Sequence, residues 1–564
     1  MRSLLPRPLA LAAVLLLATT ATAQERGDLD VLIDGLDSVT KPGGALPGEV
    51  LAFGDGAFVV ARAASKDGDR GVVAATRSGA GRAVAFGHNA FLGGEPGSDR
   101  LRLVANALSW SADERAPKTD VFVVGQAPAG LDDLVGEVTA GRTVPGLLDD
   151  YDAVLWRDGD PDPAGVERLV AFVQGGGGLV FGVCPWGRQQ LYGSSGRSIR
   201  TDLPHNQVAR RLGLVFGFDT VGAAIYELEG GEDSHAGRAV EAALALLAGD
   251  GGPGDLDPAA AARLTGALLR ALPPDEQLFT PRLRAVLEDV DLTDHLPAPG
   301  HAVPRSDARG HLGMLLATMT WHEAAPDRVP AAPGHEHFPG AVPADAERIE
   351  RCVVVEADDV IPGAWRSTGL YAPAGAVITA VSETPGWELR IGAHKDLLWH
   401  KERWSRWPEV TMQRPIGAES EHPSRAAATT ELASPFGGLV YLVPTGKAAR
   451  ATTGFVISGV VEAPLYVHGD AASLDDWPRR REAPAPWGEL ACDGLVLTVP
   501  AGALRALDDP AALMAWWTEA MACYPELLGA PLHPTGRPER LVEDIQISAG
   551  WMHSGYPVMT HGAE

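Results

Sequence analysis

Ala164-Gly165-Val166-Glu167-Arg168-Leu169-Val170-Ala171-Phe172-Val173-Gln174-Gly175-Gly176-Gly177-Gly178-Leu179-Val180-Phe181-Gly182-Val183-Cys184 is the stretch from which the fold of the N-terminal part can be read. Val166, Leu169, Val170 and Phe172 fall broadly at helical spacing, so 164–174 is expected to be an amphipathic helix. Four glycines end it. The run from Leu179 to Val183 then shows no polar alternation, as in a strand buried on both faces. Similar apolar runs lie upstream at 50–53, 57–61, 71–75, 82–86, 120–124 and 153–156, with another helical stretch at 101–109. Buried runs interleaved with amphipathic helices predict an α/β domain over 24–225, built on a mainly parallel sheet covered on both faces.

Two features of the opening stretch bear on chemistry. The glycines at 175–178 have no Lys-Ser or Lys-Thr after them and form no G-x-G-x-x-G unit, so a helix-to-strand connection with positive φ explains them better than a phosphate cradle. Cys184 follows the predicted strand within Gly182-Val183-Cys184-Pro185-Trp186-Gly187, where a nucleophile elbow would place Cys or Ser. Pro185 and Trp186 stand where a single small residue is usual, and an activating histidine would have to come from downstream, with His205 and His235 as candidates. A buried, inert thiol is the plainer expectation, and Cys184 stands as the alternative catalytic residue.

Further along, the character changes twice. Residues 226–345 form a helical segment, with Ala/Leu-rich helices expected at 239–248 and 259–271, others at 282–288 and 311–321, and a Pro/Gly/His-rich linker at 326–343. Residues 346–470 carry short apolar runs at 352–357, 365–371, 376–381, 388–391, 439–442 and 454–467, the pattern of a β-sandwich. After 470 a helix is expected at 510–524, capped by Asp508 and Asp509, and 544–559 reads as extended, with the character of a core strand.

The 564-residue chain has a formal charge of −26, which argues against nucleic acid and anionic membrane surfaces as partners. Arg2 and Arg7, the apolar run 9–18 and Ala21-Thr22-Ala23 read as a signal peptide over 1–23, predicting a secreted or periplasmic protein with no transmembrane segment after cleavage. Cys184, Cys352, Cys492 and Cys523 are too sparse for a disulfide framework; a Cys492–Cys523 bridge and unpaired thiols both remain open.

A series of words in the C-terminal half carries a resemblance. They are Thr368-Gly369-Leu370-Tyr371-Ala372-Pro373-Ala374-Gly375, Arg390-Ile391-Gly392-Ala393-His394, Ala433-Ser434-Pro435-Phe436-Gly437-Gly438-Leu439-Val440-Tyr441-Leu442-Val443-Pro444, and Asp544-Ile545-Gln546-Ile547-Ser548-Ala549-Gly550-Trp551-Met552-His553-Ser554-Gly555-Tyr556-Pro557-Val558-Met559. In this order they resemble the enhancin and enhancin-like zinc metallopeptidases over 350–564. Upstream, Phe53-Gly54-Asp55-Gly56-Ala57-Phe58, Ala85-Phe86-Gly87-His88-Asn89 and the glycine stretch resemble the N-terminal region of the TRP-channel-associated factors, which looks like a class I glutamine-amidotransferase-type fold. The resemblance implies an amidotransferase-like α/β domain (24–225), the helical segment and linker (226–345), a β-sandwich (346–470) and the beginning of a zincin-like α+β catalytic domain (471–564).

It also implies zinc, held by an H-E-x-x-H helix plus a later Glu, with the first Glu as general base. No such ligand set occurs here. His322-Glu323 meets Pro326 at the second ligand position, His335-Glu336-His337 meets Pro339, and an inverted H-x-x-E-H starting at His561 is not completed by Glu564. The expectation is therefore no metal ligands in these residues. Trp551, His553 and Tyr556 are candidates for substrate binding, as a strand flanking a zincin active site. Trp365, Trp387, Trp399, Trp404 and Trp407, with His394, His400, Lys401, Arg403 and Arg406 among or near them, suit stacking on sugars or, more simply, core packing.

Two functions follow as expectations. One is an exported member of a zinc metallopeptidase family acting on glycoproteins of mucin type, catalytically incomplete over these residues. The other is a non-catalytic protein- or glycan-binding protein. A Cys184-dependent hydrolase is a third.

Overall fold

The computed structural model describes residues 24–64, 69–113, 118–192, 197–228, 234–249, 256–288, 290–416, 428–531, 533 and 536–562. They fall into two compact units, Met1–Val290 and Asp291–Glu564, so the division lies inside the stretch 226–345.

The strands of unit 1 are β1 (Ser38–Thr40), β2 (Gly48–Ala52), β3 (Ala57–Ala63), β4 (Arg70–Ser78), β5 (Gly81–Phe86), β6 (Val121–Val124), β7 (Val138–Gly141), β8 (Ala153–Trp156), β9 (Gly178–Gly182), β10 (Leu214–Thr220) and β11 (Ile225–Glu227). Nine form one sheet in the order β1-β11-β3-β4-β5-β9-β8-β6-β7, while β2 and β10 pair separately. From β5 to β7 the sheet is parallel. From β1 to β5 it is antiparallel, which corrects the expectation of a mainly parallel sheet. Strands buried on both faces read as continuous apolar runs whichever way they point. Direction is set by the connection. β4 and β5 are joined by a tight turn in which Ser78 pairs with Gly81 and Gly79 takes φ +63°.

Helices cover both faces. Leu101, Val104 and Leu108 of α1 (Asp99–Ser111) pack on Phe86 and Val180. Val166, Leu169 and Val173 of α2 (Pro163–Gln174) pack on the opposite face with Trp156 and Phe181. Between α2 and β9 the glycine run does what its spacing suggested, by more than one means. Gly176 takes φ +117°, a Cβ on Gly177 would lie 2.3 Å from the Phe172 ring, and one on Gly178 would lie 2.4 Å from Ser111 Oγ. The N–H groups of Gly175, Gly176 and Gly177 donate to carbonyls of α2, so none is left for a phosphate, and this helix end carries the negative pole of the dipole. After β9 come α3 (Pro185–Tyr192) and α4 (Pro204–Ala209), then α5 (Ala236–Leu247), α6 (Pro258–Ala271) and α7 (Thr280–Leu287), all in unit 1.

Unit 2 holds α8 (Ala308–Glu323) and the strands β12 (Val303–Pro304), β13 (Ile349–Val355), β14 (Arg366–Ala372), β15 (Ile378–Ser382), β16 (Trp387–Ile391), β17 (Arg403–Trp404), β18 (Met412–Ile416), β19 (Ala428–Leu432), β20 (Gly438–Pro444) and β21 (Thr453–Glu462). Eight of these pair antiparallel into one β layer around Leu370, Leu389, Ile391, Leu442 and Ile457. The later strands are β22 (Leu465–Val467), β23 (Trp487–Cys492), β24 (Leu495–Pro500), β25 (Glu539–Asp544), β26 (Met552–His553) and β27 (Val558–His561). They form a mixed sheet, ordered β22-β23-β24-β25-β27-β26, with α9 (Ala471–Arg480) and α10 (Pro510–Leu528) in the same region. Asp509 caps α10, accepting from Ala512 N at 2.9 Å. The stretch 544–559 is not the single extended segment expected: it holds a turn and the short edge strand β26 before β27 begins.

Candidate functional site

In unit 1 the parallel strands end together. Asn89 lies just beyond β5, Arg157, Asp158 and Gly159 follow β8, and Val183 and Cys184 follow β9. With Arg188 and Leu191 of α3 and His205 of α4 they line a crevice of about 300 Å³. β5 and β9 are adjacent and parallel, yet the chain leaves β5 for α1 on one face, while α3, whose Tyr192 joins the core with α2, lies on the other. Such a switch point opens a gap at the C-terminal ends of the strands.

Cys184 is half-buried on the strand-to-helix turn predicted for it. Burial raises its thiol above the ordinary value, only partly offset by the Gly187 N–H, and this favours the inert form. Of the two candidate activating histidines, only His205 reaches the crevice. Its ring stacks on Trp156 with centroids 3.7 Å apart, burial holds it well below the ordinary value, and Nδ1 has no hydrogen-bond partner among the described residues. His235 is engaged elsewhere: Nδ1 accepts from Arg238 N as the cap of α5, Nε2 lies 3.0 Å from the Gly54 carbonyl, and burial lowers its pKa to about 4. Arg157 donates Nη1 to the Gln126 carbonyl, while its buried Nε has no partner among the described residues. Arg188 pairs with Asp160. Sequence reasoning missed Asn89, Arg157 and Arg188; position just after a parallel strand was the available signal.

In unit 2 the predicted residues of the final segment take different surroundings. Trp551 is 75% exposed, edge-on to His561 at 5.2 Å, and Met552 is 62% exposed on the outer strand β26. His553 Nε2 lies 2.7 Å from Asp396 and 3.0 Å from Ser548 Oγ, and Nδ1 lies 3.0 Å from the Ser554 carbonyl. Burial pulls this imidazole down, but Asp396 outweighs it, and the net shift is upward. Asp396 is itself held below the ordinary carboxylate value: burial raises it, but the Ser548 N–H and the imidazole outweigh that. Ser, His and Asp thus meet, yet both partners share one ring nitrogen, so the imidazole cannot relay a proton from serine to aspartate through its two nitrogens. Tyr556 is packed: its hydroxyl accepts from Trp365 N at 3.1 Å and Arg537 lies over its ring at 3.7 Å.

The tryptophan group is core. Trp387, Trp399, Trp404 and Trp407 are buried, and only Trp365 keeps partial exposure, with Arg390 over its ring at 4.0 Å. His394 is buried between Phe338 and Trp487. Arg406 is fully buried and bidentate to Asp544, both contacts 2.8 Å. His400 lies 2.9 Å from the Ser548 carbonyl. All four cysteines are free, so the optional Cys492–Cys523 bridge does not form.

No group of three or more His, Cys, Asp or Glu arranged to hold a metal occurs among the described residues. His322 ends α8 and pairs with Glu409 at 3.1 Å, His335 pairs with Glu336 at 3.0 Å, and Phe338 is extended where a ligand helix would have to continue. These residues do not fit zinc. Among the described residues, no helix is long and apolar enough to cross a membrane.

Comparison with known proteins agrees with the resemblance in the words. Residues 459–564 match the family Peptidase M60, enhancin and enhancin-like, 355–455 match the N-terminal domain of M60-like peptidases, and 11–230 match the family described as TRPM8, N-terminal domain. TRPM8 channel-associated factor 2 of Bos taurus is 30% identical over 95% of this chain, and the human protein of that name is 29% identical. A TRPM8 channel-associated factor homolog of Xenopus laevis is 41% identical over 38% of this chain. The chain spans 57% of the length of the Bos taurus and human relatives. The IMPa metallopeptidase of Pseudomonas aeruginosa aligns over 97% of this chain and 69% of its own, at 14% identity and a TM-score of 0.36. The chain thus carries two regions that match the M60 enhancin-like peptidases, at 355–455 and 459–564, and an N-terminal region at 11–230 that matches the TRPM8 N-terminal domain family.

Proposed function

We propose that this chain is an exported glycoprotein-recognising member of the M60-like family, and that these residues bind their target rather than cleave it. The observation that carries the reading is the outer hairpin of unit 2. An exposed indole (Trp551) and thioether (Met552) sit beside His553, which Asp396 and Ser548 hold in place. An indole face suits stacking on a sugar ring, and the free side of β26 suits an extended peptide. His322 and His335, the two histidines that precede a Glu in the sequence, are engaged by Glu409 and Glu336. Export rests on the leader-like residues 1–23, which lie outside the described residues. Unit 1 is read as an amidotransferase-like fold without that chemistry, because burial disfavours the Cys184 thiolate.

The test is calorimetric titration with a mucin-type O-glycopeptide and with the same peptide lacking sugar, alongside zinc content and chelator-sensitive cleavage. Glycan-dependent binding lost in Trp551→Ala, without cleavage, is the expected result. Stoichiometric zinc with chelator-sensitive cleavage would overturn the non-catalytic part. Equal affinity for both peptides would favour the second reading, recognition of a protein partner, which the relatives named for a channel support.

A further inference from the structure

The crevice of unit 1 is used by nothing in the reading above. Its walls come from three parallel strand ends at a switch point, the place where open α/β sheets take small molecules. Its lining is about half polar. Asn89 offers an amide, Arg157 offers a guanidinium group, Arg188 offers a second that is also paired with Asp160, and His205, 3% exposed and without a partner on Nδ1, closes the wall. The buried Nδ1 of His205, on the wall of the crevice, is left unpaired at a cost in free energy that a polar ligand would recover. One carboxylate, Asp158, also lines the space, on the exposed side of the wall.

The geometry points to a small-oxyanion site at the C-terminal ends of β5, β8 and β9, with Arg157 and Arg188 as the charge partners and Asn89 and His205 as polar contacts. The ligand carries a carboxylate or a phosphate; both present the acceptor oxygens that guanidinium groups bind. Cys184 lines the same space, so the ligand shields its thiol.

Site-resolved alkylation of the full chain tests this, with Cys352 and Cys523, both exposed, as internal controls. Inorganic phosphate and succinate are the probes, each titrated to about 10 mM, where a site of ~1 mM affinity is nearly full, against sodium chloride of matched ionic strength. One or both probes slow Cys184 labelling at least about threefold and leave the controls unchanged. Protection by phosphate alone assigns a phosphoryl ligand, and protection by succinate alone a carboxylate. Leu191 is 79% exposed on the crevice wall, so its substitution leaves folding intact. Leu191→Glu abolishes the protection by repulsion, Leu191→Lys keeps it, and Arg157→Gln weakens it. No protection by either probe, or protection indifferent to Leu191→Glu, overturns the site.

Discussion

Arg406 of unit 2 and Arg157 of unit 1 both follow a strand, and their surroundings differ. Arg406 is fully buried, spends Nε and Nη2 on the two oxygens of Asp544, and gives Nη1 to the Trp407 carbonyl. Nearby, Arg540 is likewise buried against Glu489, which also accepts from Tyr441 and Thr498, although the Arg540 Nε has no partner among the described residues. Arg157 is half-buried, bonds one backbone carbonyl, and leaves a buried Nε facing no acceptor among the described residues. A guanidinium whose donors are all met by the fold is part of the fold. One with donors to spare, beside an unpaired imidazole and open space, is receptive. An unmet donor alone does not mark a site, since the core Arg540 also has one; what sets Arg157 apart is that it lines open space as well.

The comparison breaks first at Arg406. Arg406→Met strands the Asp544 carboxylate in the core and is expected to cost about 3–5 kcal/mol in unit 2, read by hydrogen exchange of its amides during denaturant unfolding. A loss below ~1 kcal/mol would show that Asp544 finds other partners and that the satisfied pair is not structural. Next in size is the thiol contrast. Cys184 is expected to alkylate about tenfold more slowly than exposed Cys523 at neutral pH, because burial disfavours its thiolate. Comparable rates would make the elbow reactive and revive the hydrolase reading. Arg157→Gln is expected to cost less than about 1 kcal/mol in unit 1, since only one hydrogen bond is lost. A loss matching that of Arg406→Met would remove the distinction between the two arginines.

A smaller effect concerns the Asp396–His553 pair. The folded His553 is raised, so its contribution is fully present below 6.5, its ordinary value, and is lost as pH rises through the folded value. Asp396 is depressed, so its contribution is present above 3.8 and is lost as pH falls through its folded value. Stability of the hairpin should therefore be greatest between 3.8 and 6.5, and exchange of the Ser548 amide, bonded to Asp396 at 2.6 Å, should quicken on either side. A flat profile would deny the pair any role. Smallest is Trp551→Ala, expected to change stability by less than about 0.5 kcal/mol while removing glycopeptide binding.

Much of this was legible residue by residue. The apolar run 153–156 became β8 unchanged, and the caps at Asp509 and the break at 175–178 followed from local backbone chemistry. Cys184 landed on the turn read for it. The tryptophans were ambiguous because an indole packs in a core and on a sugar through the same face, and only burial distinguishes them. His553 was marked as a candidate without its partner. Asp396 lies 157 residues away, and no local pattern joins the two.

By itself the sequence determined the approximate place of several strands and helices and which family words the chain carries, since periodicity, capping and motif spacing are short-range properties. Tertiary structure decided strand direction in the first half of the sheet, the meeting of Asn89, Arg157, Arg188 and His205 around one crevice, and the burial of Arg406 on Asp544. These depend on which distant surfaces pack together and on whether each polar atom finds a partner there, and no window of neighbouring residues contains that information.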